Sequence, residues 1–155
     1  MPPPASHRLD MLVLSHDPLA DRSAVADLVA AWTPLAAQSA LVAGGHGLVR
    51  LEGDGPLRFL ANRQGGFRVY CPVSGENVVG AFVVALTAWR AGGPRTLQCP
   101  CGTPHDLTTL AYAPPAGFAA SWILIPDVAS AELTPEAVRI AKEVLGEVRV
   151  VLRRG

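Results

Sequence analysis

Apolar positions along the chain fall into short alternating runs and helical stripes, punctuated by glycine and proline. L-D-M-L-V-L from Leu9 to Leu14 predicts a first strand, ended by Ser15-His16-Asp17-Pro18. From Asp21 the spacing turns helical. Val25, Leu28, Val29 and Trp32 share one face, with Asp21 or Ser23 as the cap and Pro34 as the expected end or bend. Between Ala40 and Val69, glycines separate the short runs L-V-A, L-V-R-L-E, L-R-F-L-A and F-R-V-Y-C, which predicts an antiparallel meander. In the last run Phe67, Val69 and Cys71 share a face.

Val78 to Arg90 is the most apolar helical stretch. Val78, Val79, Phe82, Val83, Leu86 and Trp89 cover most of its circumference, leaving a strip of Gly80, Ala81, Ala85 and Ala88. Such a helix is expected to be largely buried, capped by Asn77 or Ser74 and stopped by Gly92-Gly93-Pro94. R-T-L-Q-C follows as a strand, then L-T-T-L-A-Y-A, then the fully apolar strand from Trp122 to Pro126. Thr134-Pro135-Glu136 is a helix start with a cap hydroxyl, proline at N1 and an early acid. Val138, Ala141, Val144 and Leu145 form its stripe, Gly146 ends it, and a last strand places Val148, Val150 and Leu152 inward.

These elements predict an α+β fold in a single compact domain, a mixed or antiparallel sheet of short strands with about three helices. Residues 1–8, rich in proline, are expected to form a disordered tail before a domain spanning 9–155. The 155 residues suffice to bury a core, and with half of them apolar and 17% charged the chain folds.

The net charge is zero and the longest basic run is Arg153-Arg154. A nucleic-acid binder draws most of its affinity from a basic stripe, so that class is disfavoured. No apolar run approaches the ~18–20 residues of a membrane span, and the N-terminus lacks the pattern of a signal peptide. A cytoplasmic location is therefore expected. In a reducing compartment the three cysteines point to metal binding, catalysis or burial rather than disulfides.

All three cysteines lie between Phe67 and Leu107: Cys71, Cys99 and Cys101, with His105 four positions beyond the last. If the strands ending at Cys71 and Cys99 join one sheet directly, they are parallel with a right-handed crossover. Neighbouring strands lie ~4.8 Å apart, which would let the two sulfurs share a ligand. Zinc takes about four N or S donors at ~2.0–2.3 Å. The turn from Cys99 to His105 offers three, and Cys71 supplies the fourth.

Cys71-Pro72-Val73-Ser74-Gly75 resembles the C-P-x-C-G knuckle of zinc-ribbon proteins, with serine where the second cysteine belongs. Cys99-Pro100-Cys101-Gly102 resembles a knuckle shortened by one residue. The resemblance covers these two turns alone and implies a structural zinc ion held by Cys71, Cys99, Cys101 and His105.

The leading expectation is a non-enzymatic zinc-binding domain that supports interaction with a protein partner or a small ligand. A thiol enzyme or redox protein using Cys71 or Cys99 is the first alternative. Cys71 precedes a helix N-terminus, which favours the thiolate, and His105 is an available base. C-x-C is tighter than the usual C-x-x-C redox pair, however, and Asn77 stands where a Cys-x5-Arg phosphate loop has arginine. The second alternative is an interaction or assembly module whose cysteines are only core. The apolar Val78 helix is also compatible with a homodimer.

Gly44-Gly45-His46-Gly47 reads as a hairpin turn, because it lacks the lysine of a phosphate loop. His7 and His16 read as solvated. Asp106 is expected either to orient His105 or to cap a turn.

Overall fold

The computed structural model describes residues 9–62 and 66–154, so the expected tail of residues 1–8 lies outside the described part. Three helices and short antiparallel strands make up the chain, which is the α+β class its pattern predicts. Backbone contacts group these elements into two units, one joining residues 9–62 with 116–154, the other holding residues 66–115.

The first unit is built on a four-stranded antiparallel sheet. Its strands are β1 (Leu9–Ser15), β2 (Arg50–Glu52), β9 (Trp122–Val128) and β10 (Val148–Arg154), in the order β10-β1-β9-β2. Period-2 alternation sends Met11, Val13, Ile123 and Ile125 to one face, and Leu12, Leu14, Trp122, Leu124 and Val151 to the other. Both faces are covered, which is why β1 and β9 read as continuous apolar runs.

Two helices cover the first face: α1 (Arg22–Ala37) and α3 (Pro135–Val144). Asp21 caps α1 by accepting from the Ala24 N–H at 2.9 Å, and Thr134 caps α3 by accepting from Ala137. Trp32, fully buried, donates its indole N–H to the Ala137 carbonyl at 3.0 Å and ties the helices together. The first helix does not end at Pro34. It runs to Ala37, because Leu35 and Ala36 beyond the proline pack on the same core as Leu28 and Trp32. In α3 the buried positions are Ala137 and Ala141, while Val144 is left partly exposed. The opposite sheet face is covered by a ladder of β3 (Arg58–Leu60) with β8 (Gly117–Ala119), through Leu60 and Ala119.

The second unit contains β4 (Arg68–Tyr70), α2 (Val79–Arg90), β5 (Thr96–Leu97), β6 (His105–Asp106), a 3-10 turn over Leu107–Thr109 and β7 (Ala111–Ala113). Phe67, Phe82 and Tyr112 form its aromatic core, with ring centroids 5.4–6.0 Å apart. The α2 helix buries Phe82, Ala85 and Leu86, but Val83 and Val84 are 54% and 71% exposed. The expectation that this helix is largely buried fails: it packs chiefly on β4, β5 and the 3-10 turn, which cover the face carrying Phe82, Ala85 and Leu86.

The expected meander from Ala40 to Val69 does not form either. Its runs pair with strands far ahead in the chain: β2 with β9, β3 with β8, and β4 with β7. With β1–β10 outside and β5–β6 inside, five antiparallel pairs are nested around the loop between β5 and β6. The apolar β9 takes β1 on one side and β2 on the other, which buries more than a local hairpin of β2 with β3 would. No helix among the described residues is long and apolar enough to cross a membrane.

Candidate metal centre

The innermost pair of that nested set carries most of the candidate site. Leu97 pairs with His105 and Thr96 with Asp106, so the intervening segment closes a hairpin whose loop holds Cys99 and Cys101. Gly102 donates its N–H to the Cys99 carbonyl at 3.0 Å and sits at φ 91°, a left-handed conformation that favours glycine. The loop therefore curls back on itself and turns both sulfurs toward His105.

Cys71 arrives from a second tight turn. The Gly75 N–H donates to the Cys71 carbonyl at 2.9 Å, and the Cys71 N–H to the Glu76 carbonyl at 2.9 Å. Gly75, at φ 72°, again supplies the left-handed position. The chain then bridges back, Tyr70 opposite Asn77, and enters α2. Asn77 accepts from the N–H groups of Val79 and Val69 and so joins the helix start to β4, but the cap position itself falls on Val78, which has no side-chain cap, so neither Asn77 nor Ser74 is the N-cap expected from the sequence.

The two strands preceding Cys71 and Cys99 do not lie side by side in a parallel sheet. Each belongs to its own antiparallel pair, β4 with β7 and β5 with β6. The right-handed parallel crossover is thus absent, yet the cysteines still meet, brought together by their turns.

The donor atoms of Cys71, Cys99, Cys101 and His105 all lie within 4.8 Å of one another. Nε2 of His105 is 3.5 Å from Cys71 Sγ and 3.4 Å from Cys101 Sγ. A tetrahedron with metal–sulfur bonds of 2.3 Å and a metal–nitrogen bond near 2.0 Å has S···N edges of about 3.5 Å and S···S edges of about 3.8 Å. Both measured S···N separations match such edges, and closing the widest gap takes about an ångström, within side-chain adjustment. None of the cysteines is in a disulfide. Three sulfurs and one imidazole nitrogen are a donor set that fits a tetrahedral metal ion.

The surroundings favour charged sulfur at one position. Cys71 Sγ accepts from the backbone N–H groups of Val73 and Ser74, both at 3.3 Å. The Ser74 hydroxyl, helped by those amides and by Cys99, holds the Cys71 thiol down at about 5 against the opposing effect of burial. Ser74 stands where a fourth knuckle cysteine would, and serves Cys71 as a donor. Cys99 moves the other way. The Cys101 backbone N–H pulls it down, but burial and the neighbouring Cys101 and Cys71 sulfurs together push it up to about 11. Cys101 Sγ accepts from the Thr103 N–H at 3.4 Å. Cys71 and Cys99 are buried, whereas Cys101 and His105 form the more open rim.

Asp106 does not orient His105. It caps the 3-10 turn, accepting from the Thr108 N–H at 2.9 Å and the Thr108 hydroxyl at 2.7 Å, and it pairs with Arg95 at 3.2 Å. These partners, opposed by partial burial, hold its carboxyl below the usual value. Arg95 and Asp106 bracket the β5–β6 hairpin and close its base, together with the Leu107 N–H to the Arg95 carbonyl at 3.1 Å. Sequence reasoning passed over Arg95; opposite charges flanking the cysteine loop were the available signal. It also passed over Tyr112, whose hydroxyl donates to the Leu107 carbonyl at 2.6 Å.

The remaining motif is structural. His46 accepts from the Leu41 N–H through Nε2 at 3.2 Å, and its Nδ1 lies 2.8 Å from the Gly47 carbonyl, so the ring braces its own glycine loop. His16 is exposed, as expected, and His7 lies outside the described residues. Comparison of the chain with protein-family models, curated proteins and solved structures finds no match.

Proposed function

We propose that this chain is a zinc-binding domain whose metal is structural, a degenerate zinc knuckle in which His105 takes the place of a missing cysteine. The observation that carries this reading is the approach of His105 Nε2 to two sulfurs at the edge length of a zinc tetrahedron. Four protein donors make a closed set, as in structural sites; catalytic zinc sites keep one position open. The bound ion would join the turn after β4 to the β5–β6 hairpin, and those surfaces would then be held for a protein partner or small ligand. A cytoplasmic setting suits the reading, since reduced thiols are the ligand form. The test is the metal content of the purified chain, together with its unfolding midpoint before and after chelation.

A second reading, thiol chemistry at Cys71 or Cys99, is favoured by one observation: Cys71 is held at about 5 and lies 3.5 Å from His105. Against it, Cys71 is 2% exposed, and the same amides that lower its pKa also prepare it as a metal ligand. Alkylation rates separate the two. A thiol enzyme shows one fast cysteine regardless of added zinc, whereas a metal site is protected by zinc and released by chelator.

A further inference from the structure

β10 is one edge of the four-stranded sheet, and no strand among the described residues pairs with its outer side. It is seven residues long, whereas the opposite edge, β2, has three. The β10 ladder reaches one residue further back, since the His16 N–H donates to the Glu147 carbonyl at 2.9 Å. Long open edges are normally shortened, bulged or charged against pairing. This one has V-V-L at its centre, and Val148, Val150 and Leu152 are only half-buried against the core. Beside it runs a groove of about 460 Å³, walled by Leu133 and Val138 and floored by Val148 and Val150, with Lys142 and Glu147 at its rim.

We propose that the outer edge of β10 is a self-association surface, on which a second copy adds its own β10 antiparallel to form a continuous eight-stranded sheet. The charge pattern selects both the occupant and the register. A two-fold centred on Val150 sets Glu147 opposite Arg153 twice, Val148 opposite Leu152 twice, and Arg149 opposite Val151. Centring on Val151 instead sets Arg149 against Arg153 twice, and centring on Arg149 sets arginine against arginine. Opposite charges across a ladder stabilise it and like charges oppose it, so the Val150 register prevails. Neither Glu147 nor Arg153 is in an ion pair among the described residues, although Asp10 lies opposite Arg153 on the inner side of the ladder. The paired strands would also place Val148, Val150 and Leu152 of both copies on one face, extending the apolar stripe over the groove.

The test is the mass of the full chain by sedimentation or light scattering across a concentration series. A dimer of twice the 16.2 kDa chain is expected. Glu147→Arg should weaken it roughly tenfold or more, Arg153→Glu likewise, and Glu147→Arg with Arg153→Glu together should restore it. Circular dichroism of each variant checks that folding is retained. Hydrogen exchange gives an independent readout, with outward β10 amides protected at dimer concentrations and open on dilution. A chain monomeric at all concentrations, or a dimer indifferent to these charges, overturns the proposal. Metal content plays no part in either outcome, so this surface stands or falls separately from the zinc site.

Discussion

Cys71 Sγ lies 3.5 Å from Nε2 of His105, thirty-four positions further along the chain. Neither residue reaches the other through a shared sheet. Cys71 is delivered by the tight turn after β4, and His105 by the returning strand of the β5–β6 hairpin, so the contact fastens two otherwise separate pairs.

Ser74 gives the most specific check on the knuckle geometry. Its backbone N–H donates to the Cys71 sulfur at 3.3 Å from the position that a knuckle cysteine occupies. His105→Ala should lower zinc affinity by roughly two orders of magnitude, through loss of one of four donors. Adding Ser74→Cys should recover most of that loss with a four-sulfur site. Competition with a chromophoric chelator measures both. Failure of the second change to restore binding would show that Ser74 does not face the metal position.

The two shifted thiols predict a stability profile for the metal-free, reduced chain. Cys71 sits at about 5 when folded against a reference of 9.0, so between those values the unfolded chain binds more protons. Its stabilising contribution is complete above pH 9 and is lost as pH falls through about 5. Cys99, raised to about 11, acts in the opposite sense and lowers stability as pH climbs from 9 to 11. Thermal midpoints should therefore peak near pH 9, and Cys71→Ala should flatten the acid limb. A flat wild-type profile from pH 5 to 9 would contradict the assigned thiolate.

The Arg95–Asp106 pair predicts an unequal pair of losses. Arg95→Ala removes only a half-exposed ion pair and should cost at most about 1 kcal/mol. Asp106→Ala also removes the cap on Thr108 and should cost about 1–2 kcal/mol. Urea unfolding of the two variants measures the order; equal losses would mean that the cap contributes nothing.

In the other unit the junction of the helices rests on Trp32. Trp32→Phe keeps an aromatic ring but loses the hydrogen bond to Ala137 and leaves a void, a loss of about 1–3 kcal/mol. Val84→Ala, on the exposed side of α2, should stay within about 0.5 kcal/mol. Denaturant midpoints of the two variants compare a buried anchor with an apolar residue that is mostly exposed.

What the chain reveals without its structure follows from how local each signal is. β1, β9, α1 and α3 were legible because alternation, caps and the Thr134-Pro135-Glu136 start act within a few residues. The Cys99–His105 turn was legible as a local donor set, but the approach of Cys71 to it was not: the parallel crossover that would have brought the two together does not form, and the tight turns that do so instead leave little mark in the pattern. Strand partners were not legible: L-V-R-L-E carries no mark that it pairs with Trp122–Leu124 rather than with its neighbour. Nested pairing is set by where the most apolar strand finds cover, a property of the whole chain. For the same reason the apolar α2 looked largely buried, although Val83 and Val84 are left more than half exposed. Asp106 looked like a partner for its neighbour His105, but its charge was taken by Arg95, eleven positions away.

Elemental analysis of the chain, purified under reducing conditions without added metal, decides whether Cys71, Cys99, Cys101 and His105 hold an ion. About one zinc per chain is expected, removed only with chelator and with a marked fall in the unfolding midpoint. Less than about 0.2 metal per chain, with a midpoint unchanged by chelator, would contradict it.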